Sequence, residues 1–122
     1  MRRRWEFNRI HRDGVRVRTP NFTVIGLRSL TQGRPRFGCA VSRKVGNAVV
    51  RNRLRRSMKE IFRLSAHELA LAEVVVVVRP SAAKYTKLGY HALREELWPA
   101  MRTAAQRAST QKKNKRRVRR RR

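Results

Sequence analysis

Arg51, Arg55, Lys59 and Arg63 recur at intervals of four within "GNAVVRNRLRRSMKEIFR", residues 46–63. On a helix this spacing stacks four cations along one side, with Asn52 and Arg56 on the same arc and Arg51 at its border. The chemistry such a row supports is recognition of a polyanion. Guanidinium and ammonium groups grip phosphates, and their clustering on one helix face is the electrostatic footprint of a nucleic-acid partner. The row also works against its own helix. Like charges at this spacing repel by roughly 0.2–0.5 kcal/mol per pair. Arg51 and Arg53 lie near the helix start, where the dipole favours anions. An RNA partner neutralises both effects.

Bond-breaking chemistry has less to draw on. Metal-assisted hydrolysis on protein ligands needs converging carboxylates or histidines. The acids Glu6, Asp13, Glu60, Glu68, Glu73, Glu95 and Glu96 are dispersed, and only Glu95 and Glu96 are adjacent. Neighbours on a helix diverge. His11, His67 and His91 are scattered, with no pair for an acid–base nuclease. Cys39 is the single cysteine, so neither a disulfide framework nor a cysteine zinc cluster is available. It reads as a small strand residue. Gly33 and Gly46 do not build a phosphate loop. The residues favour binding over protein-based catalysis.

Composition agrees. The 122 residues carry 33 Lys and Arg against 7 Asp and Glu, a net charge of +26. Nine of the cations fall in the last twelve residues, "QKKNKRRVRRRR". Without them 24 cations still face 7 anions, a balance of +17. The body as well as the tail is therefore basic and self-repelling without a polyanion. Hydrophobic residues make up 40% of the chain, enough for a modest core. No apolar stretch follows "MRRRWEF", so a signal peptide is not expected. The run Val74–Val78 is far too short to span a bilayer. The expectation is a cytoplasmic protein without a membrane partner.

The elements that must position these residues follow from periodicity. Residues 5–12 form a helix candidate, with Phe7, Ile10 and His11 on one face, and Asp13-Gly14 ends it. Val15–Arg18 is a weak strand signal. Residues 21–27, "NFTVIGL", read as a strand in which Phe22 and Val24 alternate with Thr23, Ile25 and Leu27. "FGCAVS", residues 37–42, is another. A helix over 47–64 starts at an Asn47 cap and carries Val50, Leu54, Met58, Ile61 and Phe62 on its apolar arc. Residues 73–80, "EVVVVVRP", read as a central strand covered on both faces. The last helix carries Tyr90, Leu93, Leu97, Met101 and Ala104, and Pro99 is expected to kink or end it. We expect one RNA-binding domain over 1–108, with an arm at 1–4, and a disordered basic tail over 109–122.

These residues carry a resemblance. "FGCAVSRKVGNAVVRNRLRRSMKEIFR", with Arg51-Asn52-Arg53 at its centre, resembles the signature of the protein subunit of bacterial ribonuclease P. "EFNRIHRDGVRVRTPNFTV", "EVVVVVRPSAA" and "YHALREELW" are similar to that family's N-terminal helix and first strands, its later strand and its last helix. The similarity extends over about residues 5–104.

The resemblance implies an α+β fold, a mixed α/β sandwich in the order α-β-β-β-α-β-α with one four-stranded sheet. It also implies a left-handed β-α-β crossover through the 47–64 helix, against the right-handed rule for such units. It implies a ribonucleoprotein that removes the 5′ leader of precursor tRNA, with catalysis and Mg²⁺ ions on an RNA subunit. That catalytic RNA is the expected one-to-one partner and precursor tRNA the substrate. Arg51, Asn52, Arg53, Arg55, Arg56, Lys59 and Arg63 correspond to contacts with the RNA subunit. Phe7, His11, Phe22, Ser42, Arg43 and Lys44 correspond to the leader side. His11 stands where the family often has an aromatic. Phe7 and Phe22 have a second reading, as core residues. A small ribosomal protein, binding RNA without processing it, is the alternative function.

Overall fold

The computed structural model describes residues 12–28, 36–66, 69 and 72–120. Four strands are β1 (Val15–Arg18), β2 (Phe22–Arg28), β3 (Arg36–Val41) and β4 (Ala72–Val78). The helices lying wholly within the described residues are α1 (Ala48–Ser65), α2 (Tyr85–Leu88) and α3 (Tyr90–Arg120), with a 3-10 turn at Pro80–Lys84 before α2. The sheet order is β1-β2-β4-β3. β1 and β4 each run antiparallel to β2, while β3 runs parallel to β4. The fold is thus α+β on one mixed four-stranded sheet, as expected. The weakest strand signal, Val15–Arg18, is β1. Nearly all of the helix candidate at 5–12 lies outside the described residues.

Alternation along the strands divides the core. Phe22 and Val24 of β2 join Val74, Val76 and Val78 of β4 in one buried cluster beneath the helices. Ile25, Leu27 and Val75 are buried on the opposite face. The valine run is therefore a central strand buried on both faces, because its neighbours pair on either side and alternate side chains serve each layer. Gly26 allows α3 to approach closely: a Cβ there would lie 2.6 Å from the backbone oxygen of Ala104.

α1 begins where Asn47 Oδ1 accepts a hydrogen bond from the Val50 N–H at 3.0 Å. Leu54, Met58 and Ile61 are buried in the main core. Each such burial contributes about 1.5–3 kcal/mol. The three like-charge pairs of the 51–63 row together cost about 1 kcal/mol. Burial outweighs repulsion, so the helix forms despite its charge.

Two local features shape the chain after β4, and at one of them, Pro99, the outcome differs from the sequence expectation. Gly89, at φ 94, separates α2 from α3. This left-handed backbone suits glycine at a helix C-terminus. Pro99 neither ends nor breaks α3, which continues to Arg120. The apolar stripe Leu93, Leu97, Met101 and Ala104 is buried on both sides of Pro99 and holds the helix to the sheet. Pro99 and Glu95 are both exposed, so the Glu95 carbonyl that loses its donor faces water. The segment expected to be a disordered tail thus carries helical backbone as far as Arg120. It contains no Gly or Pro to stop a helix, and Lys, Arg and Gln favour one.

Candidate nucleic-acid interface

The charged residues of α1 separate into two flanks. Arg51 is half-buried, and its Nε donates to the Gly46 carbonyl at 3.2 Å, which ties it back over the helix start. Arg55 donates through Nη1 to Asn52 Oδ1 at 3.1 Å, so Asn52 orients an arginine. Arg55 and Lys59 lie toward Cys39 of β3. Burial pushes the Cys39 thiol above its ordinary value, and the two charges oppose that shift. Arg53 and Arg56 sit on the other flank, beside a groove shared with Tyr85 and Tyr90. Arg63 is exposed and donates twice to Glu60, at 3.1 and 2.7 Å. These bonds hold the Glu60 carboxyl below its usual range. The seven predicted residues therefore share one helix but not one face.

Ser42, Arg43 and Lys44 occupy the turn between β3 and α1 and are all exposed. The Val45 N–H donates to the Ser42 carbonyl at 3.1 Å, and buried Val45 anchors the turn in the core. Two further cations thus stand beside the start of α1.

Phe22 is not on this surface. It is 0% exposed and its ring stacks on Tyr85 at 6.0 Å. Its core reading holds, and its assignment to the leader side is withdrawn. One residue along β2, the side chain turns to the other face of the sheet. There Thr23 accepts from Arg79 Nη2 at 3.2 Å, with Val77 across from it on β4 and Arg18 across on β1. Arg18 and Arg79 are exposed. This basic end of the sheet's second face was missed in the sequence. The alternation separates Phe22 from Thr23 but does not say which face the helices cover. Phe7 and His11 lie outside the described residues.

A polar knot behind the interface was also missed. Glu96 accepts from Thr19 Oγ1 at 2.5 Å, from the Asn21 N–H at 2.9 Å, from Asn21 Nδ2 at 2.6 Å and from the Tyr85 hydroxyl. Burial acts to raise the Glu96 carboxyl, but these donors outweigh it and hold the group below its ordinary value. Burial, and then the bond to Glu96, pushes Tyr85 up to about 12. The knot ties the β1–β2 turn to α2 and α3. Glu95, adjacent in sequence, faces solvent instead.

Comparison with known proteins gives a consistent result. The family model described as Ribonuclease P matches residues 1–105. The Ribonuclease P protein component of Desulfovibrio desulfuricans is 42% identical over 106 residues, covering 86% of this chain and 82% of that protein. The RNase P protein from Thermotoga maritima, solved with 1-(4-fluorophenyl)-2-thiourea, superposes with a TM-score of 0.77 at 27% identity. That match covers 84% of this chain and 96% of the other. The Staphylococcus aureus RNase P protein at 2.0 Å gives a TM-score of 0.77 at 25% identity, over 85% and 93% of the two chains.

Proposed function

The chain belongs to the ribonuclease P protein family, and we propose that it works by holding two RNAs at once, through α1 on one side and the Arg18–Thr23–Arg79 end of the sheet's second face on the other. As a ribonuclease P protein it is a partner of that complex's RNA subunit and serves tRNA 5′ maturation. The ribosomal alternative gives way to this assignment.

The observation that carries the docking half is the exposed basic surface of α1, with Arg55 held by Asn52. Arg51, Asn52, Arg53, Arg55, Arg56, Lys59 and Arg63 meet the phosphates of the RNA subunit. Their charge is matched there, and counterion release contributes to the affinity. Ser42, Arg43 and Lys44 extend this surface toward the 5′ leader of precursor tRNA. Arg18, Thr23 and Arg79 on the sheet face are added to the leader side, with Phe7 and His11 as its stacking groups. Bond cleavage is assigned to the RNA subunit, where Mg²⁺ ions supply the hydrolytic chemistry. This chain's residues bind and orient. Residues 1–108 act as the RNA-binding domain and 109–122 as a basic extension. The crossover from β3 through α1 to β4 is assigned a left hand with the family, and the cytoplasm is the proposed location. Among the described residues, no helix is long and apolar enough to cross a membrane.

Purification of the full chain from its own cells tests this reading. The expected product is one structured RNA in one-to-one amount that cleaves the leader from precursor tRNA when Mg²⁺ is added. Stoichiometric ribosomal RNA without cleavage would overturn it.

A further inference from the structure

Between α1 and the α2–α3 elbow lies a groove of about 440 Å³. Arg53, Arg56, Ser57 and Glu60 line it from α1, the Glu60 carboxylate being held by Arg63, and Tyr85, Thr86, Gly89 and Tyr90 line it from the elbow. It is on the flank of α1 away from Arg55 and Lys59. Arg53 and Arg56 are exposed there and make no hydrogen bond or ion pair with another described residue. Elsewhere on α1, Arg51, Arg55 and Arg63 each have a partner.

The rest of the lining is of another kind. Tyr90, Leu54 and Leu93 give it an apolar and aromatic wall. The Tyr90 hydroxyl is closed off from solvent and has no hydrogen-bond partner among the described residues. The elbow itself is unobstructed: a Cβ on Gly89 would meet nothing within 4 Å.

Size and chemistry select the occupant. At about 440 Å³ the groove is at the small end of ligand sites, which run from roughly 300 to 1,000 Å³. It is too small for a helix or strand of a partner protein. Two unpaired guanidiniums above an aromatic wall match a phosphate joined to a flat ring. We propose that this groove takes one unpaired nucleotide of the RNA subunit, its phosphate between Arg53 and Arg56 and its base against Tyr90. The inference rests on the reading that α1 docks on that RNA. It adds a specific role to the Arg51-Asn52-Arg53 motif. Its two arginines serve different flanks, and the captured nucleotide fixes the register of α1 along the RNA. Stacking of this kind tolerates any base, so the position of the unpaired nucleotide decides the fit.

Arg53→Ala/Arg56→Ala tests the proposal in the full chain with its RNA subunit. The variant loses two exposed guanidiniums that have no partner among the described residues. Its melting temperature should be unchanged or higher, while affinity for the RNA subunit falls roughly three- to tenfold. Unchanged affinity would overturn the nucleotide site. Arg55→Ala/Lys59→Ala, measured in parallel, separates this failure from failure of α1 docking as a whole. If only the groove is misread, Arg55→Ala/Lys59→Ala still weakens binding. If docking is misread, neither variant does. Titration of the free chain with AMP, GMP, CMP, UMP and inorganic phosphate gives a second readout. Backbone amide shifts at Ser57, Thr86 and Gly89 should be larger with a nucleotide than with phosphate. Equal shifts, or stronger saturation by an acidic peptide, would also overturn it.

Discussion

At Glu96 four donors converge on one carboxylate. On α1, six cations and one amide spread over a helix that supplies only a few of them with partners. The first region joins elements distant in sequence, and its hydrogen bonds are completed within the chain. The second keeps its guanidiniums and Lys59 largely in water. Polar groups that hold a fold together are satisfied inside it, because a buried unpaired group is costly. Polar groups that await a partner stay exposed and tolerate mutual repulsion. Substitutions in the first region should therefore change stability, and substitutions in the second should change RNA affinity.

The largest expected effect is at Phe22, the core residue stacked on the knot's Tyr85. Phe22→Ala should cost about 3–5 kcal/mol of folding stability, measured by urea denaturation. A loss below about 1 kcal/mol, with a selective loss of leader binding, would return Phe22 to the RNA surface.

Glu96→Ala should come next, at about 1–3 kcal/mol, because buried Asn21 is left with unpaired donors. The folded fraction should bind RNA as before. The knot also sets a pH dependence at both ends of the scale. Glu96 has a lowered carboxyl, so its stabilisation is full above the unfolded-state value and is lost as pH falls through the folded one. Tyr85 is raised to about 12 from an ordinary 10.0. Its contribution is full below pH 10 and is lost as pH rises from there toward 12. Tyrosinate absorbance should show Tyr85 ionising late, and Glu96→Ala should bring that step earlier.

Stacking on the leader is worth about 1–3 kcal/mol per base. Phe7→Ala should weaken binding of precursor tRNA by that amount and leave mature tRNA unaffected. Paired affinities with thermal melting check this. Equal losses for both tRNAs and a lower melting temperature would move Phe7 to the stabilising side of the comparison.

The sequence shows the two regions unequally. α1 was legible because its apolar and charged arcs follow one helical period, and Asn47 marks its start. The valine run gave β4 because only a strand covered on both faces accommodates uninterrupted β-branched residues. The Glu96 knot was not legible. Thr19, Asn21, Tyr85 and Glu96 are joined only by the folded chain, and nothing local marks one glutamate of an adjacent pair as the inward one. Pro99 misled because its effect on a helix depends on packing to either side and on water at the Glu95 carbonyl. The split of Arg53 and Arg56 from Arg55 and Lys59 needed the position of the elbow, which periodicity does not give.

The salt dependence of RNA-subunit binding for Arg55→Ala/Lys59→Ala, set beside its melting temperature, tests the division most directly. The account predicts a stability that is unchanged or higher by a few tenths of a kcal/mol, since like-charge pairs are removed. It predicts weaker binding with a log–log slope shallower by roughly 0.7–0.9 for each lost phosphate contact. A folded double variant with the same affinity and the same slope as the parent chain would contradict it.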